Sequence, residues 1–347
     1  MLSKYEDKVV LPAEWEPQST VLIAWPFRDS DWKEKFEDVE KNYLALCKAI
    51  CTYQKVLILC KNDEHRDSIK NKLELAQLDN NTYSLIIADY NDTWCRDYGP
   101  LTVRHNGTFE IKNFIFDGWG NKFPAESDNL VCRQLKDKGI FGSFNLHNYD
   151  LVLEGGSIDA DGRGSILTTS SCLLKRHADK NKDELEQILK EAIGARKILW
   201  LEHGHLTGDD TDGHVDMLAR FINEETIFYC RCDDKDDPDY VELQLMQEEL
   251  TLLRQQNDKP YQLVPIPLPQ KKSHNGRLLA ASYINFLIIN HAVLVPQFDD
   301  EQDSIALDIF KAHFPNRDII GIESNALITQ GGSLHCSTMQ IPAGVIQ

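Results

Sequence analysis

Short apolar runs of β type recur along the chain, each followed by turn residues and often by a stretch with apolar positions at helical spacing. The runs lie at 20–24, 56–59, 85–88, 151–153, 166–168, 198–201, 215–221, 226–229, 262–266, 284–289, 292–295, 319–322 and 334–339. Their β-branched content and their Gly, Asn, Asp or Pro borders read as strands. Phe36, Val39, Tyr43, Leu44, Cys47 and Ile50 instead repeat at 3.6-residue spacing, with Ser30 or Asp31 as the expected N-cap. Leu185, Ile188, Leu189 and Ile193 form a second helical face that stops at Gly194, a residue suited to the left-handed position after a helix. Two further helices are expected at 240–256 and 301–313, the latter stopped by Pro315. Interleaved strands and helices with no Pro/Gly/Ser-rich linker argue for one mixed α/β domain over 1–347. Two doubly wound domains would need stricter strand–helix alternation, and no G-x-G-x-x-G follows the first strand. A repeated module of several strands plus a helix fits the pattern, although self-similarity in the chain does not by itself establish a repeat.

The 347 residues are 42% hydrophobic and 27% charged, an ordinary globular composition with ample material for a core. The longest apolar stretch, 283–298, is interrupted by Asn285, Asn290, His291 and Pro296, so no membrane span is expected. The first 17 residues lack an apolar core with a small-residue cleavage site, so no secretory leader is expected either. Nine cysteines without regular spacing suit free thiols in a reducing, cytoplasmic compartment. With 37 basic against 55 acidic residues the net charge is −18. Such a surface repels nucleic acid and anionic lipid and attracts small cations. Acidity serves solubility in many proteins, however, so charge alone does not name a ligand.

Four segments concentrate reactive side chains beside glycine: 92–100 (DTWCRDYGP), 153–157 (LEGGS), 208–216 (GDDTDGHVD) and 330–338 (QGGSLHCST). Each borders a β-type run, where loop-borne groups are held by a rigid scaffold. Cys336 is the nucleophile candidate, because a thiol needs only modest activation to attack; most cysteines, and the other eight here, read as inert buried thiols. His214 is the acid/base candidate. If 215–221 is a strand, His214 and Asp216 point to the same face, and Glu154 supplies a carboxylate to orient the imidazole. Asp97, Asp216 and Glu154 together are costly to bury unless a cation joins them, either a metal ion or an organic cation.

Metal look-alikes are present. Residues 212–216 fit D-x-H-x-D and 157–161 fit S-x-D-x-D, two patterns of manganese ureohydrolases. Here their order is reversed, and the G-G-D-H segment of those enzymes is missing. Asp159, Asp161 and Gly162 read more simply as a hairpin turn between the strands at 151 and 166. Cys230 and Cys232, and His203 and His205, lack further partners at metal-ligand spacing. On the residues alone the metal reading is the weaker one.

Taken together in order, these segments resemble the agmatine deiminases of the guanidino-group-modifying, or pentein, superfamily. The resemblance runs nearly end to end through 12–17 (PAEWEP), 24–26 (AWP), 94–100 (WCRDYGP), 118–122 (GWGNK), 154–156 (EGG), 211–216 (TDGHVD), 282–286 (SYINF) and 331–336 (GGSLHC). It implies an α/β propeller of five ββαβ-type modules in pseudosymmetry, with the site on the axis. It further implies Cys336 as nucleophile, His214 as general acid/base, Glu154 as its orienting partner, and Asp97 and Asp216 as the carboxylates that grip a guanidinium. The implied partner is a small cationic guanidine, agmatine first, with peptidylarginine or free arginine as alternatives. A homo-oligomer is compatible with this reading. Trp94, Trp119 and Asp210 are candidates for the far amine of agmatine, whereas an arginine carboxylate finds only Arg96 and Lys122 in the motif segments. Leu287 and Ser157 replace a tyrosine and an asparagine frequent in the family, which bears on substrate preference rather than on the chemistry. A metal-dependent ureohydrolase or an idle polyamine-type binding protein are the competing readings; the second needs neither Cys336 nor His214.

Overall fold

The computed structural model describes residues 9–346. The expectation about a leader concerns mainly residues 1–8, which lie outside the described residues, as does Gln347. Within 9–346 the strands fall into six sheets, five of which share one pairing rule, and that rule is what the sequence could not reveal. In each of these five, a first strand runs antiparallel to a second, and the second runs parallel to a third across a helical connection.

The first sheet uses β1 (Gln18–Ala24), α1 (Phe36–Cys51) and β2 (Lys55–Cys60), extended through α2 (Asp63–Leu75) to β3 (Tyr83–Ile87). The second is β4 (Leu101–His105) and β5 (Thr108–Ile115), then α3 (Val131–Asp137) and β6 (Leu146–Val152). The third is β7 (Ile158–Ala160) and β8 (Ser165–Thr169), then α4 (Ser170–Arg176), α5 (Lys182–Ile193) and β9 (Lys197–Leu201). The fourth is β10 (Ala219–Asn223), β11 (Thr226–Arg231), α6 (Tyr240–Leu252) and β12 (Gln262–Pro267). A hairpin of β13 (Lys272–His274) and β14 (Arg277–Leu279) precedes the fifth: β15 (Leu287–Ile289), β16 (Ala292–Gln297), α7 (Gln302–His313) and β17 (Asp318–Glu323). After α8 (Asn325–Ile328), β18 (Thr338–Pro342) returns to pair antiparallel with β1, so the C-terminal strand completes the first module. This is the five-module α/β architecture that the resemblance implies.

Local chemistry accounts for the elements. The second strand of each module lies between two neighbours, and β1 and β2 are accordingly buried along almost their whole length. Helix α1 buries Phe36, Val39, Tyr43, Leu46, Cys47 and Ile50. Helix α5 starts in a capping box formed by Asn181 and Glu184 and ends at Gly194 with φ 72°. Among the described residues no helix is long and apolar enough to cross a membrane.

Several expectations are corrected. The N-cap of α1 is Lys35, not Ser30 or Asp31; residues before it turn inward so that Trp32 is buried, its indole N–H donating to Thr93 Oγ1 at 3.0 Å. The run 215–221 is not one strand: Val215–Met217 form a 3-10 turn and the strand begins at Ala219. Likewise 284–289 is strand only from Leu287, and 334–339 only from Thr338. The helix expected to 256 ends at Leu252. The 161–164 turn is a hairpin, with Asp161 Oδ1 accepting from Arg163 N and Ser165 N at 2.8 Å, but it joins β8 to β7 rather than to the strand at 151. All nine cysteines are free thiols.

Candidate functional site

The pairing rule places one short loop before the first strand of every module, and the five loops bring their polar side chains together. Asp97 precedes β4, Glu154 precedes β7, His214 and Asp216 precede β10, Asn285 precedes β15, and Cys336 precedes β18. All six are buried. Residues separated by up to 239 positions in the chain thereby form one site.

Asp97 accepts from the Gly156 amide at Oδ1 and from the Trp119 indole at Oδ2, each at 2.9 Å. Trp119 is held in a left-handed turn, Gly118–Asn121, in which Trp119 itself has φ 59° and ψ 48°. That conformation is costly for a bulky residue and is found where the surroundings over-determine it. The imidazole of His214 meets Glu154 Oε2 through Nε2 at 2.9 Å, and its Nδ1 has no hydrogen-bond partner, with Asp97 Oδ1 3.8 Å away. Asp216 Oδ2 accepts from His335 Nδ1 at 2.7 Å, while its Oδ1 is buried and unpartnered. Cys336 Sγ lies 3.7 Å from Asp216 Oδ2 and accepts from Asn285 Nδ2 at 3.2 Å; Asn285 Oδ1 in turn receives the amides of His335 and Cys336 at 3.0 and 3.3 Å. The strand argument for His214 and Asp216 facing alike is therefore replaced by the 3-10 turn between them, which brings both to the same space by a tighter route.

Gly156 marks the centre. A Cβ there would lie 2.7 Å from His214 Nδ1, 2.9 Å from Asp97 Oδ1 and 3.1 Å from Asp216 Oδ2. Two carboxylate oxygens and an imidazole nitrogen thus converge on one small volume kept open by the missing side chain. It adjoins a cavity of about 330 Å³ whose walls include Asp97, Cys336, Trp94, Trp119, Asp92 and Asp210, with Asp31 and Arg277 exposed at its rim. Trp94 packs on Trp32 with ring centroids 5.5 Å apart, and only a glycine at 332 leaves room for it.

The electrostatics follow from burial and neighbours. Burial pushes the Asp97 carboxyl up to about 6 against the attraction of His214, with Glu154 and Asp216 adding repulsion. Burial also works against Glu154 and Asp216, but the hydrogen bond and charge of His214 with those of Arg176 hold Glu154 below the usual carboxylate range, and His335 does the same for Asp216. His214 is raised well above an ordinary histidine: burial opposes its charge, and Asp97, Cys172 and Glu154 overcome it. Cys336 is raised well above a free thiol by burial and then by Asp216 and Asp97. The empty site therefore holds an imidazolium beside a thiol.

Three residues that the sequence reading left without a role support this arrangement. Arg176 is buried, with Nε on Glu154 Oε1 at 2.7 Å, Nη1 on Asp212 Oδ2 at 2.6 Å and Nη2 on Thr211 O at 3.1 Å. Cys172 donates to Glu154 Oε2 at 3.3 Å. Asn285 lay in the 282–286 motif, and the five-loop pattern is the signal that would have singled it out. Arg96 does not face the cavity; it bonds His335 O and Gln340. Lys122 is engaged by Asp212. Neither is a free carboxylate partner, and Arg277, loosely paired with Asp210 at 3.4 Å, is the cation at the rim instead.

Among the described residues, Glu154, Cys172 and His214 are a donor set close enough to consider for a metal. The set is already satisfied as hydrogen bonds: thiol and imidazole both donate to Glu154 Oε2, and Arg176 takes the other oxygen. A dication would have to sit beside that guanidinium. Of the ureohydrolase-like motifs, Asp159 pairs with Arg220, Asp161 serves its turn and Asp212 faces Arg176, Lys175 and Lys122. These groups do not converge as a metal site would.

Comparison with known proteins adds three findings. A family model described as Porphyromonas-type peptidyl-arginine deiminase matches residues 10–342. The agmatine deiminase of Ectopseudomonas mendocina is 31% identical over 363 aligned positions, covering 96% of this chain and 95% of that protein. The structures of C. jejuni agmatine deiminase with substrate bound and of Enterococcus faecalis agmatine deiminase superpose with TM-scores of 0.89 and 0.88, at 36% and 28% identity, each covering 96% of both chains.

Proposed function

Because the chain belongs to the Porphyromonas-type peptidyl-arginine deiminase family, we propose that it hydrolyses the guanidinium of agmatine to N-carbamoylputrescine and ammonia. The observation that carries the proposal is the convergence of Asp97 Oδ1, Asp216 and His214 Nδ1 on the space at Gly156, beside the Cys336 thiol. A guanidinium is planar, permanently charged and rich in N–H donors, so it suits carboxylates arranged around one small volume. It would place donors near Asp97 Oδ1 and Asp216 Oδ2 and neutralise the excess negative charge there.

Fixed in that plane, the substrate offers its central carbon to Cys336. The bound cation offsets the repulsion that Asp97 and Asp216 exert on a thiolate, so substrate itself favours the nucleophile. The thiol proton passes to solvent as the guanidinium binds and sulfur adds to carbon; the tetrahedral adduct expels one nitrogen, which leaves as ammonia with a proton from His214, and a thiouronium remains on Cys336. His214, now neutral, takes a proton from water as the oxygen adds to the same carbon. The C–S bond breaks, the ureido product departs and the thiol is restored. Glu154 fixes the imidazole through Nε2 and leaves Nδ1 toward the reacting centre. No step calls for a metal or an organic cofactor.

Agmatine is favoured over arginine by the lining of the cavity. Asp31, Asp92 and Asp210 outnumber Arg277 there, which suits a far-end ammonium better than a carboxylate, and Trp94 and Trp119 supply aromatic walls for the methylene chain. The test is to incubate the purified protein with agmatine, arginine and an arginyl peptide and to identify products by mass. Carbamoylputrescine with ammonia, abolished in Cys336→Ala and unaffected by a chelator, is expected; putrescine with urea would overturn the proposal.

A further inference from the structure

Beneath the site runs a second chain of buried groups that the reaction above does not use. His335, one residue before Cys336, has Nδ1 on Asp216 Oδ2 at 2.7 Å and Nε2 on Glu14 Oε2 at 2.8 Å. Glu14 also receives Arg220 Nη2 at 2.7 Å and the Ile288 amide at 2.6 Å, and Arg96 Nη2 stands 3.9 Å from the same carboxylate. Arg220 continues to Asp159 at 3.5 Å. All of these groups are buried.

A neutral imidazole has one N–H and one lone pair. Between two carboxylates, its lone pair would face an oxygen at hydrogen-bond distance whichever nitrogen carried it. Protonating a carboxylate would relieve that clash, but both acids resist it. Despite burial, and apart from His335 itself, Arg220 and Arg96 favour the ionised form of Glu14, as His214 and Arg220 do that of Asp216. The geometry therefore calls for two N–H donors on the ring.

Resting on the deiminase reading, we propose that His335 is a positioning residue: clamped between Glu14 and Asp216, it fixes the Asp216 rotamer that puts Oδ2 beside Cys336 and the space at Gly156. Asp216 Oδ2 is held by His335 and lies 3.7 Å from Cys336 Sγ, while Oδ1 is buried without a partner. The 12–17 segment, which carries Glu14, thereby reaches the substrate through two intermediaries. His335 itself touches no reacting atom, and its backbone is separately held by Asn285 and Arg96. The side chain's role can thus be separated from that of the loop.

Two measurements test this. In protein with 15N-labelled histidine, both His335 nitrogens should carry N–H protons at pH 7, assigned by loss of the signals in a His335 variant; a single-N–H neutral tautomer there would overturn the proposal irrespective of substrate. Kinetically, His335→Asn can still donate to Asp216 but not to Glu14, whereas His335→Gln reaches toward Glu14 but not Asp216. The KM for agmatine should rise about tenfold or more in His335→Gln and less in His335→Asn, with kcat changed less than KM in both. With His335 replaced, Asp216 gains protons more readily, so the acid limb of kcat/KM should move to higher pH in both variants. Equal KM effects that merely track lowered melting temperatures would indicate a structural role and overturn the proposal. Wild-type turnover is the control: a wild type inactive on agmatine defeats the functional reading, while the nitrogen spectra still decide His335.

Discussion

Replacing Gly156 by alanine inserts one methyl group at the point where the substrate cation is expected to lie. The backbone there is not left-handed, and the amide that donates to Asp97 is retained, so the added carbon is the whole perturbation. Its nearest neighbours would be His214 Nδ1 at 2.7 Å, Asp97 Oδ1 at 2.9 Å and Asp216 Oδ2 at 3.1 Å, all on buried side chains with little freedom to retreat. The folded protein should lose about 1–3 kcal/mol, the usual cost of overpacking. Catalysis should lose more. Pushing a guanidinium off two carboxylates removes at least two charge-assisted hydrogen bonds of about 1.5–3 kcal/mol each, which corresponds to a fall of about 10²–10⁴-fold in kcat/KM. Steady-state ammonia release from agmatine, together with a thermal melt and the rate of Cys336 alkylation by a neutral reagent, checks both halves. A Gly156→Ala enzyme that folds and turns over agmatine at a rate close to that of wild type would refute the placement of the guanidinium.

Arg176→Met leaves buried Glu154 with His214 as its remaining cation; stability should fall in denaturant titrations, by less than the ~3–5 kcal/mol of a fully broken buried pair, and the acid limb of kcat/KM should shift upward as Glu154 binds a proton more readily. Asp92, Asp97 and Asp159 are each raised to about 6 by burial, so near pH 5 the folded protein binds more protons than the unfolded chain. Their sign makes stability rise as pH falls from 7 toward 5, against a smaller opposing effect from His65, whose pKa is lowered; a melting temperature that only declines over that range would contradict it. Binding of an unreactive guanidine should lower the Cys336 thiol pKa, read as thiolate absorbance in the difference between wild type and Cys336→Ala; an unchanged titration would refute activation by the bound cation.

Which residues meet at the site was more legible in the chain than the architecture that gathers them. Cys336, His214, Glu154, Asp97 and Asp216 stand out because each is a reactive group close to glycine at the edge of an apolar run, and the structure gathers all five. Trp94 and Trp119 also reach the cavity wall. The loop geometry escaped because 3-10 turns leave no periodic signature: Val215–Met217 looks like the start of the following strand, although its turn is what aims Asp216. The β4–β5 hairpin escaped for another reason. Its residues alternate polar and apolar as a half-exposed ribbon, so no continuous apolar run marks it. Arg176, Asn285 and His335 were missed as functional groups since each acts through a neighbour that is distant in sequence. Only the five-module pairing, with one site loop before each first strand, makes their positions intelligible.

The central claim is covalent chemistry at Cys336, and the most direct measurement is the intact and peptide mass of wild-type protein quenched in acid during turnover of agmatine. An adduct on the Cys336 peptide with the mass of agmatine less ammonia, formed and lost at rates that sustain the steady state, is predicted. Turnover without that adduct, or full activity in Cys336→Ala, would contradict it.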